Sequence, residues 1–145
     1  MAQEDLEELL NFLIPCAQQF LAKSGEFYPF AASMTPDGTV RQNMSGTGEE
    51  FPNSDKLIAI LIDGFREEAL VGRLKATGIC YDARVLLEGA KERTDAICVR
   101  LEHADGDAVE IVLPYTGASA GAITYDELVM TSAKGEIFGP PGSAT

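Results

Sequence analysis

Apolar side chains recur at helical spacing from the start of the chain, where Leu6, Leu9, Leu10, Leu13, Ala17, Phe20 and Leu21 share one face of a helix over residues 5–23. Asp5 and Glu8 have the three-residue offset of a capping box and place the helix start at Asp5. Pro15 removes one hydrogen bond and crowds the carbonyl of Asn11, so a kink or break is expected there. Gly25 suits the left-handed residue that closes the helix. The period then becomes alternating: Tyr28, Phe30, Ala32 and Met34, then Val40 and Met44, flank Thr35-Pro36-Asp37-Gly38-Thr39. Pro36 presets the first turn dihedral and Gly38 supplies a positive φ, so a three-residue loop pairs Met34 with Val40 and Phe30 with Met44. Even-numbered residues of this hairpin face the core. Pro29 cannot donate to a ladder, so its strand lies at an edge or begins after it.

Asn53 or Ser54 caps a second helix that runs to about Val71 and ends at Gly72. Ile58, Leu61, Ile62, Phe65 and Ala69 form its core face. Leu57, Ile60, Gly64 and Val71 make a second stripe, leaving Asp63, Arg66 and Glu67 as a narrow wet edge, so the helix is expected to be covered on two sides. Three strands follow with odd-numbered apolar residues: Ile79, Tyr81, Ala83, Val85 and Leu87; Ile97, Val99 and Leu101; Val109, Ile111, Leu113 and Tyr115. Asp82, Arg84, Glu88, Arg100, Glu102 and Glu110 occupy the alternate face, which is expected to be largely wet. A three-residue loop, Ala104-Asp105-Gly106, pairs Leu101 with Val109 and keeps the pattern in register; across the preceding pair of strands the register sets Leu86 against Cys98. At the end, Thr124 and Glu127 can cap a short helix through Ala133, stopped by Gly135, or "AITYDELVM" can form a last strand; the capping offset favours the helix.

The expected fold class is α+β, an antiparallel sheet of about five strands flanked by two or three helices in the order α-β-β-α-β-β-β-(α). Residues 1–138 make a single domain and 139–145, "GPPGSAT", a tail with nothing to pack. Over most of the chain, this element order resembles the profilin-like arrangement of roadblock/LC7-type domains, small regulatory modules that often form dimers. The resemblance implies a regulatory role.

Composition narrows the partners. Against 11 basic side chains stand 23 acidic ones, a net charge of -12 that repels phosphate backbones, so neither nucleic acid nor an anionic membrane is an expected partner. A basic protein partner is the complementary expectation. Acids rather than basic residues open the chain, and no apolar run approaches the 18 or so residues needed to cross a bilayer, which leads us to expect a cytoplasmic protein. Cys16, Cys80 and Cys98 show no CxxC spacing, so reduced, buried thiols are expected rather than disulfides or a zinc site.

Candidate chemistry is sparse. His103 is the only histidine, at the end of its strand beside a turn, and its parity points it away from Cys98. Cys80 and Cys98 share a face in the assumed register but lie far apart along it. Glu102, Asp105, Asp107 and Glu110 could face a hard cation, yet lack the ligand spacing of a calcium loop. "SGTGEE" does not follow the phosphate-loop pattern, and "TGASAGA" reads as a flexible connector. Glu26 beside Phe27 and Tyr28 is the one acid next to aromatics; convergence of two or more of Glu26, Asp82, Glu102 and Glu110 in a deep pocket would favour an enzyme, and none is expected. No catalytic, metal-binding or cofactor-binding residue is assigned. The reading is a non-catalytic interaction or regulatory protein that self-associates or binds a protein partner, through Leu57, Ile60, Gly64, Val71 and Tyr28. Its alternatives are an immunity-like protein that neutralises a basic toxin, and a small enzyme or ligand-binding protein built around Glu26 and Tyr28.

Overall fold

The computed structural model describes residues 2–43, 53–117 and 122–138. Helix α1, Ala2–Ser24, buries Leu6, Leu9, Leu13, Ala17 and Leu21 on the face the periodicity indicates. It begins upstream of Asp5, so Asp5 is not a cap. Instead its carboxylate lies 2.9 Å from His103 Nε2 and 3.4 Å from Lys75 Nζ. The His103 hydrogen bond, supported by Lys75, holds Asp5 below its usual carboxylate range. Pro15 does not break the helix: Pro15 and Asn11 are both exposed, so the carbonyl that loses its donor faces water.

The sheet consists of β1 (Phe30–Met34), β2 (Val40–Asn43), β3 (Ala76–Val85), β4 (Thr94–His103), β5 (Ala108–Thr116), β6 (Thr124–Tyr125) and β7 (Val129–Ser132), with α2 (Ser54–Leu70) inserted after β2. All described pairings are antiparallel, in the order β2-β1-β3-β4-β5, and β6 and β7 both pair β5. The fold is thus α+β, with two described helices. β1 begins immediately after Pro29, and its hairpin pairs Met34 with Val40 as expected. Met44, the expected partner of Phe30, lies outside the described residues. Asp37 completes the turn by accepting from the Thr35 hydroxyl and the Thr39 amide, which hold its carboxyl down at about 2. Leu101 pairs with Val109 around the predicted three-residue loop.

One parity expectation fails, and it reorganises the core. Val99 pairs with Cys80 and Cys98 with Tyr81, not Leu86. Even residues of β3 therefore join the odd residues of β4 and β5 beneath α1, in a core of Phe30, Met34, Ala76, Cys80, Val99, Leu101 and Ile111. The odd residues Ile79 and Tyr81 face the other way, with Ala31, against Ile58, Leu61, Ile62 and Phe65 of α2. Both parities of β3 are apolar or small, so alternation could not choose between them. Cys80 and Cys98 consequently lie on opposite faces. The expected wet face is also corrected, because Glu102 is buried. Its carboxylate accepts the backbone N–H groups of Glu136, Ile137 and Phe138 at 2.7, 2.9 and 2.6 Å, pinning the C-terminal strap over the α2 side of the sheet.

Asn53 caps α2, accepting from the Asp55 and Lys56 amides, and Gly72 takes a φ of +72° just beyond its end. The second stripe is not covered as expected: Leu57 is buried, but Ile60 and Val71 are exposed, and a Cβ on Gly64 would meet nothing within 4 Å. The expected C-terminal helix is a pair of short strands instead. The stretch Val129–Ser132, with β-branched Val129 and Thr131, supplies β5 with a ladder partner that a helix would deny it, and the Ala133 amide extends the ladder to Ala108.

Gly78 is where α1 comes closest to the sheet: a Cβ there would lie 2.5 Å from Leu13 Cδ1 and 3.0 Å from Leu101 Cδ2. Gly78→Ala is expected to destabilise by about 1–3 kcal/mol through overpacking. Leu13→Ala alone should cost about 2–5 kcal/mol, and the double variant should cost less than the sum, because the new methyl occupies the space Leu13 vacates. Urea denaturation of the four proteins measures this; strict additivity would contradict the packing.

Candidate functional site

The cleft at the C-terminal end of α1 is built by that register. α1 ends with Gly25 at φ +78°, and the connection Glu26-Phe27-Tyr28 then crosses the sheet end before β1 begins. Phe27 is anchored by ring contacts: its centroid lies 5.7 Å from Phe30, edge-on, and 6.3 Å from Phe20, tilted, while Phe20 and Phe30 meet at 5.3 Å and 90°. Phe30 is fully buried, so this cluster fixes the connection to the core and leaves Tyr28, 48% exposed, at the surface.

Across from it stands Asp82, placed on the α1 face by the parity of β3. Tyr115 on β5 reaches over β4 and donates its hydroxyl to Asp82 Oδ1 at 2.6 Å. Burial raises the Asp82 carboxyl above its ordinary value; Asp95 and Glu26 raise it further, against the lowering effect of bonds from Tyr115 and the Phe27 backbone. Tyr115 is pushed strongly upward, first by burial and then by Asp82. Asp95 sits opposite Tyr115 in the β4–β5 ladder and has Arg84 Nε at 3.8 Å.

Two adjoining depressions share Glu26 and Asp82. One, of about 440 Å³, is lined by Phe20, Phe27 and Tyr28; the other, of about 670 Å³, by Lys23, Asp95 and Tyr115. The structure thus brings together Glu26, Asp82 and Tyr28. Glu102 and Glu110 line a separate cavity of about 430 Å³ beside the strap, where Arg100 stacks on Tyr81 at 5.1 Å and pairs with Glu136 at 3.3 Å. Burial pushes the Tyr81 hydroxyl up to about 12. Ile60 and Gly64 line a third hollow, of about 260 Å³, between α2 and the β1–β2 hairpin.

In comparisons with known proteins, no family model matches the chain, and no curated protein or solved structure matches it.

The remaining candidates do not converge. Burial raises the Cys80 thiol well above its ordinary range and the Cys98 thiol to about 11, which keeps both protonated and unreactive. His103 meets Asp5, not a thiol. Among the described residues no group of three or more His, Cys, Asp or Glu side chains is placed to hold a metal ion, and no helix is long and apolar enough to cross a membrane. Asp95 and Tyr115 are the site residues that sequence reasoning missed. Their meeting with Asp82 depends on long-range register, for which no local signal exists.

A raised carboxyl has a definite sign in stability. Relative to the unfolded chain, folding favours protonated Asp82, so its contribution is present below the unfolded value near 3.8 and is lost as pH rises through the folded value. Asp82→Asn keeps an acceptor for Tyr115 and removes the charge. At pH 7 it is expected to raise the melting temperature, with the gain vanishing in acid; a variant that melts lower at every pH contradicts the assignment.

Proposed function

We propose that this chain is a non-catalytic interaction protein whose cleft receives a basic side chain, lysine or arginine, from an acidic-surface-seeking protein partner. The observation that carries this reading is the crowding of Glu26 and Asp95 around the half-buried Asp82, beside the exposed ring of Tyr28. Glu26 and Asp95 make Asp82 harder to ionise, and an incoming cation relieves that repulsion while stacking on the aromatic wall. Lys23 and Arg84 offset part of the local charge, and the chain as a whole still carries -12. Long-range attraction then favours a basic partner and makes association salt-sensitive. Neutralisation of a basic toxin is the most specific form of this role. A regulatory interaction role is also what the roadblock/LC7-like order of elements implies.

A second reading, a small enzyme or ligand-binding protein using the same carboxylates, is favoured by one observation: Asp82 and a second carboxylate, Glu26, line the same cleft beside Tyr28.

Titration with a hexa-arginine peptide, followed by amide and side-chain NMR shifts, separates the cleft from general acidity. Shifts are expected to concentrate at residues 23–28, Asp82 and Asp95, to weaken with salt, and to fall roughly tenfold in affinity in Asp82→Asn. Equal shifts at Glu4, Glu67 and Glu88 would overturn the reading.

A further inference from the structure

Residues 133–138, the strap, cross the α2 side of the sheet as irregular chain, and their one described backbone bond to a strand runs from the Ala133 amide to the Ala108 carbonyl. Side chains hold the rest. Glu102 of β4 accepts three consecutive amides, those of Glu136, Ile137 and Phe138. Arg66 of α2 donates Nε to the Glu136 carbonyl, and Arg100 of β4 pairs with the Glu136 carboxylate at 3.3 Å. Ile137 is buried in the cluster of Ile58, Leu61, Ile62, Phe65 and Ile79. A bound peptide is held the same way, by main-chain bonds for affinity and by pockets for particular side chains. The strap leaves part of this groove unfilled: a cavity of about 430 Å³ remains, lined by Ile62, Ile79, Arg100 and Glu110 together with residues 132–137.

We propose that α2 and β4 frame a peptide groove which the strap occupies in cis, and that an extended segment of a partner protein takes its place. The segment must bring three consecutive free N–H groups, because Glu102 is buried and an unpaired carboxylate there is costly. It carries an acidic side chain for Arg100, followed directly by a large apolar one for the Ile137 pocket. Being tethered, the strap acts at a local concentration on the order of millimolar, so a free segment displaces it only by making further contacts. The strap of a second copy brings nothing that the first lacks. A partner with bulkier residues in place of Ser132, Ala133 and Gly135, which line the cavity, does. The groove shares no described lining residue with the acidic cleft and takes an acid where the cleft takes a base, so the two surfaces suit different ligands.

Fluorescence anisotropy with a labelled peptide of the strap sequence, SAKGEIF, tests this on the full chain. Ile137→Asp sets a second carboxylate beside Glu102 and expels the strap, so the peptide is expected to bind this variant at least about tenfold more tightly than the wild type. Adding Glu102→Gln, or placing lysine for glutamate in the peptide, should each weaken that binding at least about tenfold. In the wild type, hydrogen exchange should release the amides of residues 136–138 by local opening, well before those of Ile97 and Val99. Several results would overturn the proposal: an Ile137→Asp chain that does not fold, peptide binding indifferent to Glu102→Gln, or strap amides that exchange only with the whole domain. Light scattering of wild type mixed with Ile137→Asp is expected to show monomers; a mixed dimer would give the groove to a second copy and overturn it too.

Discussion

The β3–β4 register is the constraint from which the rest of this molecule follows. Each residue of β3 faces one of β4, from Ala76 against His103 to Val85 against Thr94. This long ladder fixes which side chains of β3 turn toward α1 and which toward α2. A slip of one residue would exchange the two sets. It would send Cys80 out of the α1 core, lift Ile79 away from Phe65, and remove Asp82 from the reach of Tyr115.

A sheet covered on both faces has to place its polar side chains with care, and three devices do so here. At one end, Asp5 bridges His103 and Lys75, tying the start of α1 to the turn side of β3 and β4. On the α2 side, Glu102 spends both carboxylate oxygens on the backbone of the strap, which lets a charged residue remain buried and closes the sheet over Ile137. At the other end, Asp82 is held by Tyr115 but stands close to two further acids. The first two carboxylates have partners that satisfy them. The third is only partly satisfied, which is why the cleft, and not the cavity beside the strap, is the candidate site.

How much of this was legible in the sequence depended on whether a feature was local. The α1 face, both hairpin loops, the cap at Asn53 and the Leu101–Val109 register are short-range consequences of period and turn chemistry, and the structure contains them. The β3–β4 register was not legible: the two strands are joined by a connection with no compact turn signal, and Gly78 and Cys80 are as compatible with a core as Ile79 and Tyr81. Residues 124–133 misled for a different reason, since a capping offset competes there with β-branched residues, and the open edge of β5 decides between them. Of the site, Glu26 and Tyr28 were recognisable because they adjoin in sequence. Asp82 was visible only as an acid on a strand, and its partnership with Tyr115 and Asp95 exists only once three strands are aligned.

Cross-strand NOEs between β3 and β4 test this account at its root. The structure predicts contacts joining Cys80 to Val99 and Tyr81 to Cys98, with Asp82 next to Ile97. Contacts joining Leu86 to Cys98 would instead restore strict odd-numbered burial, disperse the acidic cleft and contradict the account.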